Sequence, residues 1–166
     1  MANLKKIFSK IYDQYIDKIY RFVFFKVNSK DIAEDLTSEI FLRVWKRFKN
    51  QEQKIENIQA FLYKTARNLI TDYYREKGKL RIVSAENPGI TDPRENLEEK
   101  AILASDIEKV REALSTLKDD YQNVIIWYYL DDLSISEISD LLGRTETATR
   151  VLIHRALKSL KNKLES

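Results

Sequence analysis

Only three glycines and two prolines occur in 166 residues, and four of these five backbone breakers fall between Gly78 and Pro93. Glycine and proline are the residues that helices tolerate least. A chain that gathers them at one place can run as long helices on either side of it. The break itself, SAENPGITDPRENLEEK, is polar and lacks helical periodicity. The pattern predicts an all-α protein: two small helical domains joined by a flexible linker, residues 1–77 and 101–166 with 78–100 between them. The apolar share of 43% is enough for packed cores.

Several function classes are excluded early. Cysteine is absent, so disulfides and thiolate chemistry are ruled out, and a cytoplasmic location is the default. No apolar run is long enough to span a bilayer, and the N-terminal stretch mixes acidic residues into its amphipathic pattern, unlike a targeting peptide. The lone His154 has no cysteines with which to form a metal cluster. No cofactor and no metal are expected. The net charge of +3 hides an asymmetry: residues 1–81 carry 18 basic and 10 acidic side chains, whereas residues 82–120 carry 5 and 10. A basic N-terminal half points to a polyanionic partner.

In the N-terminal domain, helices are expected over roughly 3–27, 31–49 and 58–77. Asp31 with Glu34 has the spacing of a capping box for the second. That helix, DIAEDLTSEIFLRVWKRF, is apolar except for one stripe: Asp35, Glu39, Leu42, Arg43 and Lys46. An intrahelical salt-bridge face would look similar. An exposed leucine among the charges favours the rim of a protein interface.

The third helix, IQAFLYKTARNLITDYYREK, turns Phe61, Leu62, Thr65, Leu69 and Tyr73 inward. Lys64, Arg67, Asn68, Thr71, Asp72 and Arg75 face outward, where they can bind phosphates and base edges. Tyr63 and Tyr74 are expected near the surface, where rings beside cations suit unpaired bases.

The C-terminal domain begins with an amphipathic face of Ile107, Val110, Leu114 and Leu117, followed by a buried apolar helix, Tyr121–Leu130. Ser134 and Glu137 then form a capping box, Leu133 and Ile138 a hydrophobic staple, and Gly143 a helix stop. Thr145 caps a final helix to about Leu164. Helix, glycine turn, helix is a helix-turn-helix layout. Thr149, Ile153, Ala156, Leu160 and Leu164 should pack inward. Outside, Glu146, Thr147, Arg150 and Val151 are candidate base readers. Arg144, Arg155 and Lys158 are placed for phosphates, and His154 lies near them. A solvated bundle face would show much the same charges.

The segments DIAEDLTSEIFLRVWKRF, AFLYKTARNLITDYYR and LSISEISDLLGRTETATRVLIHRALKSL, in that order, resemble the extracytoplasmic-function sigma factors of bacterial RNA polymerase. The resemblance covers nearly the whole chain, and the length suits this minimal class. It implies a non-enzymatic factor that binds core polymerase and directs promoter recognition and melting. Asp35, Glu39 and Arg43 stand at motif positions of the helix that docks on the clamp of the largest subunit. Asn68, Asp72 and Arg75 match the segment that melts the −10 element, and Glu146 and Arg150 the −35 reader. Such factors are often held by an anti-sigma factor in trans.

Two single positions and one three-residue run depart from the family pattern. Ser38 replaces the usual Gln, Phe61 a frequent Trp, and Arg150-Val151-Leu152 a Lys/Arg-Ser-Arg run. Val151 can contact a thymine methyl instead.

Two other classes fit parts of the chain. A stand-alone helix-turn-helix regulator would bind duplex DNA as a dimer, but has no need of the strand-binding helix. A carboxylate metalloenzyme built on Glu34, Asp35 and Glu39 would need Glu-x-x-His motifs, and the only histidine lies in the other domain.

Overall fold

The computed structural model describes residues 2–50, 55–83 and 97–165, of which residue 2 and residues 79–83 and 97–105 are described by their backbone. All regular secondary structure among the described residues is helical, without strands. The elements are α1 (Ala2–Val27), α2 (Lys30–Lys49), α3 (Ile58–Val83), α4 (Leu97–Ser115), α5 (Asp119–Ile125), a π-helical turn (Ile126–Leu130), α6 (Ile135–Leu142) and α7 (Glu146–Glu165). No described helix is long and apolar enough to cross a membrane.

The first three helices form one packed layer, with α1 against α2 and α3. Ile19, Phe22 and Val23 from α1 meet Ala33, Ile40 and Val44 from α2 and Leu62 and Ala66 from α3 in the core. Asn28 carries the turn from α1 to α2 at φ 57°, a backbone region that asparagine tolerates better than most residues. The cap of α2 corrects the expectation from sequence. Ser29, not Asp31, is the N-cap, and its hydroxyl accepts from the Ile32 amide at 3.4 Å. The helix starts at Lys30, which places Asp31 in the first turn, where its charge favours the helix dipole.

The third helix outruns its expected end. It continues through Gly78 to Val83, since one glycine costs only about 1 kcal/mol in a helix interior. Helix α4 begins at Leu97, ahead of residue 101, where the second domain is expected to start. Residues 84–96 of the predicted linker lie outside the described residues. Ile107, expected inward, is 54% exposed, while Leu114 and Leu117 hold the buried face.

The apolar run Tyr121–Leu130 is not one α-helix. Its last five residues widen into a π turn, closed by the Asp131 amide donating to the Ile126 carbonyl at 2.8 Å. Asp132 follows at φ 57°. The signals beyond it hold as read. Ser134 Oγ accepts from the Glu137 amide at 3.0 Å, and Glu137 Oε1 accepts from the Ser134 amide at 2.9 Å. Leu133 and Ile138 are both buried. Gly143 takes the left-handed cap at φ 65°. Thr145 Oγ1 then caps α7 by accepting from the Ala148 amide at 3.1 Å.

The two helical halves touch. Trp127, in the π turn, is fully buried. Its ring stacks on Phe22 at 5.6 Å between centroids and meets Tyr63 edge-on at 5.8 Å. The Arg111 guanidinium of α4 lies 4.1 Å from the centre of the Phe24 ring. The apolar core is therefore continuous across the seam between the halves.

Candidate nucleic-acid and protein interfaces

Three exposed faces carry the residues singled out from sequence. On α2, burial of Ala33, Thr37, Ile40, Phe41 and Val44 fixes the helix rotation. It leaves Asp35, Leu42, Arg43 and Lys46 exposed and Glu39 half-buried. Arg43 Nε donates to Glu39 Oε1 at 3.2 Å. Leu42 is 44% exposed in the middle of this stripe, so apolar surface remains at its centre. Beside it, Tyr12 of α1 is also exposed and packs edge-on against Phe41.

On α3, Lys64, Asn68, Thr71, Asp72 and Arg75 are exposed and Arg67 is half-buried. Lys64, Arg67, Asn68 and Thr71 line one cavity of about 360 Å³. Lys26 and Ile70 from the same half line it too, and Asp119 and Asn123 of α5 close the opposite side. Asp72 and Arg75 lie beyond the cavity, paired with each other at 3.9 Å. Phe61, Leu62, Thr65, Leu69 and Tyr73 turn inward as expected, although Phe61 and Tyr73 are only partly covered. The Arg47 guanidinium lies over the Phe61 ring at 5.0 Å.

Tyr63 corrects the sequence reading. It is fully buried, because the C-terminal half covers a side of α3 that would face solvent in the N-terminal half alone. Its hydroxyl donates to Asp131 Oδ2 at 2.7 Å. Tyr74 is 44% exposed, as expected, and its hydroxyl donates to the Lys26 carbonyl.

Charge pairs cross the seam at two further points. Arg21 Nη1 donates to Asp131 Oδ1 at 3.1 Å and to the Leu130 carbonyl at 2.6 Å. Burial pushes the Asp131 carboxyl up to about 7, against the lowering pull of Tyr63, Arg21 and Lys18. Desolvation and the neighbouring Asp131 charge push the Tyr63 hydroxyl up as well. The Lys26 ammonium pairs with Asp119, and its burial still holds it below the ordinary lysine range. None of Arg21, Lys26, Asn123 and Asp131 was singled out from the sequence. Their positions matter only because two remote segments meet.

On α7, Thr149, Leu152, Ile153, Ala156 and Leu160 face the core, whereas Leu164, expected among them, is 45% exposed near the helix end. Glu146, Thr147, Arg150, Val151, His154, Arg155 and Lys158 are all exposed. Arg150 Nη2 lies 3.7 Å from Glu146 Oε2, and Arg144 Nη2 donates to Asp120 Oδ2 at 3.0 Å. Val151 stands in the cationic face at 44% exposure, free to meet an apolar group. Among the described residues no cluster of three or more possible ligands could hold a metal ion.

A family model for sigma-70 region 2 matches residues 11–80, and one for sigma-70 region 4 matches residues 107–160. Between them they hold all three faces. The chain is 29% identical over 154 residues to the ECF RNA polymerase sigma factor BldN of Streptomyces coelicolor, covering 92% of this chain and 58% of that protein. It is 27% identical over 158 residues to the ECF sigma factor SigM of Bacillus subtilis, covering 92% of this chain and 91% of that one.

The chain belongs to the extracytoplasmic-function sigma factors. A sigma factor directs promoter recognition for transcription initiation, and sigma factors in general are not enzymes. Among solved structures, this sigma factor resembles RpoE of Bartonella quintana, crystallised with the anti-sigma factor NepR. The TM-score is 0.71 at 20% identity, over 96% of this chain and 98% of that one. It also resembles CnrH in complex with the cytosolic domain of CnrY, with a TM-score of 0.66 at 18% identity, over 97% and 89%. At such identities the likeness is one of fold.

Proposed function

We propose that the three faces divide the work of initiation among themselves. Asp35, Glu39, Leu42, Arg43 and Lys46 dock α2 on the core polymerase. Lys64, Arg67, Asn68, Thr71, Asp72 and Arg75 capture the opened −10 strand. The outer face of α7, with Arg144 before it, reads the −35 duplex. Residues 1–77 and 101–166 act as the two domains, with 78–100 as their connection. The protein works in the cytoplasm without catalytic chemistry of its own, because RNA synthesis belongs to the polymerase.

The observation that carries this reading is the surface of α2. A helix evolved only to complete a core has no need of an exposed leucine ringed by charges of both signs. An apolar centre with a polar rim is how protein interfaces are built.

The face of α3 adds cations around a concavity wide enough for a base. Unpaired bases expose edges and phosphates that Lys64, Arg67 and Asn68 can bind. On α7, Arg150 near the helix start is placed for a guanine edge, and Val151 for a thymine methyl. An anti-sigma factor acting in trans would have these same faces to cover.

Binding of the purified protein to bacterial core RNA polymerase tests the reading, beside an Asp35→Lys/Glu39→Lys variant. The expected result is a stoichiometric complex that the variant loses, since two charges in the rim are reversed. No complex with the unaltered protein would favour a stand-alone regulator of duplex DNA.

A further inference from the structure

The cavity between α1, α3 and α5 is deeper than a strand lying along α3 would need. Its edge is exposed: Lys64, Asn68 and Thr71 on α3, and on α5 Asp119, whose side chain is 71% exposed. Its inner end is shielded. The Lys26 side chain, from the last turn of α1, is only 5% exposed, and Asn123 of α5 is fully buried. A strand crossing the edge meets the α3 side chains. Only a group small enough to enter the cavity meets Lys26 and Asn123. The volume of about 360 Å³ lies within the range of small-molecule sites, about 300–1,000 Å³.

The charges around this space do not balance. Lys26, Lys64 and Arg67 line it with one carboxylate, Asp119, which leaves a surplus of two positive charges. That carboxylate is already engaged. One of its oxygens accepts from Lys26 Nζ, and the other accepts from Asn123 Nδ2 at 3.3 Å. Among the described residues, Lys64 and Arg67 have no carboxylate partner. Burial holds the Lys26 ammonium below the ordinary lysine range against the pull of Asp119, and the nearby Arg67 charge adds to the lowering. An anion in the cavity would offset both effects.

Asn123 supplies a second, independent signal. Its Oδ1 has no hydrogen-bond partner among the described residues. A buried acceptor without a donor is costly, and native structures keep few of them. A hydroxyl or N–H group inside the cavity would satisfy it. The site therefore asks for two things at once: a dianion beside the cations and a donor beside Asn123.

We propose that this cavity binds a small phosphate monoester whose organic part carries a hydrogen-bond donor, with the phosphate on Lys26, Lys64 and Arg67 and the donor on Asn123. A phosphate monoester carries close to two negative charges at neutral pH, which matches the surplus; a strand phosphate carries one. Lysine and arginine are the side chains best suited to such a group. The inference goes beyond the strand-binding reading of α3 and stands without it, because Lys26 and Asn123 have no part in that reading.

The test uses the full chain alone, without polymerase or DNA, so its outcome is independent of the sigma-factor reading. Guanosine monophosphate, glycerol phosphate, inorganic phosphate and a thymidine dinucleotide joined by a phosphodiester are each titrated by calorimetry at one low ionic strength. The expected result is saturable one-to-one binding in which both monoesters bind more tightly than inorganic phosphate, and the diester most weakly. The tighter of the two monoesters then tells a nucleotide source from a simpler metabolite. Lys26→Met keeps an apolar stem and removes the charge, and should weaken monoester binding about tenfold or more. Asp119→Asn removes the opposing carboxylate at an exposed position, and should tighten binding about threefold. The second variant decides the matter if the first does not fold.

No saturable binding would overturn the proposal, as would affinity indifferent to Asp119→Asn. Inorganic phosphate binding as tightly as the monoesters would leave Asn123 without a role and overturn it too. Tightest binding of the diester would assign the cavity to the strand instead.

Discussion

The Tyr63 hydroxyl donates to Asp131 Oδ2 at 2.7 Å across 68 residues of sequence, and both side chains are almost wholly shielded from water. This bond joins the first helical unit to the second at the place where α3 meets the π turn. With Arg21 on the other carboxylate oxygen, it satisfies a charge that would otherwise be costly to bury.

Tyr63→Phe removes the donor and keeps the ring. Asp131 is then left with Arg21 alone, in a site that excludes water. The loss of a hydrogen bond to a buried charged group is expected to lower stability by about 1–3 kcal/mol. Urea denaturation followed by tryptophan fluorescence measures it, and an unchanged midpoint would show that water replaces the hydroxyl.

Asp131 also sets a pH dependence. Its folded-state value of about 7 lies above the ordinary carboxylate value near 4. Between those values the folded chain retains a proton that the unfolded chain has released. Stability contributed at this site is therefore highest at acid pH and declines as pH rises from about 4 to about 7, by at most about 1.4 kcal/mol per pH unit. The groups facing it are Arg21 and Lys18 of α1 and Tyr63 of α3. An Asp131→Asn variant should lack this component, so its stability relative to the unaltered protein should improve with rising pH. Parallel pH profiles of the two would count against the raised value.

Gly143 holds the turn between α6 and α7 at φ 65°. A Cβ there meets no neighbour within 4 Å, so the cost of Gly143→Ala is backbone strain alone. About 1–2 kcal/mol of destabilisation is expected, with little change in packing. Thermal denaturation checks the size, and a loss much above this would point to a displaced α7.

On α7, Arg150 and Lys158 should separate sequence reading from charge. Arg150→Ala is expected to relax selectivity at one upstream base pair, by about 1–3 kcal/mol. Lys158→Ala should weaken binding evenly across sequences and reduce the salt dependence by about one ion. Upstream-fragment binding titrated against salt and sequence distinguishes the two. Equal effects from both substitutions would mean that Arg150 contacts only phosphate.

Much of this molecule was fixed by local chemistry that the chain carries in order. The capping box at Ser134, the left-handed Gly143 and the cap at Thr145 each lie within four residues of their partners. So do the stripes of α2 and the outer face of α7, which follow from a 3.6-residue period and a single buried side. Asp31 misled because Ser29, two residues earlier, offers the same cap with a shorter side chain.

Tertiary structure decided what depends on two remote segments meeting. Periodicity assumes that a helix has one buried side, and α3 has two. Tyr63 was therefore assigned to solvent, although Trp127 and Asp131 lie against it. Arg67 does face outward, but its guanidinium also lies over the Trp127 ring at 5.7 Å, which no local pattern shows. Nothing within either segment encodes the other's approach, so the Tyr63–Asp131–Arg21 contacts, the raised Asp131 carboxyl and the cavity shared by α3 and α5 come only from the packed fold.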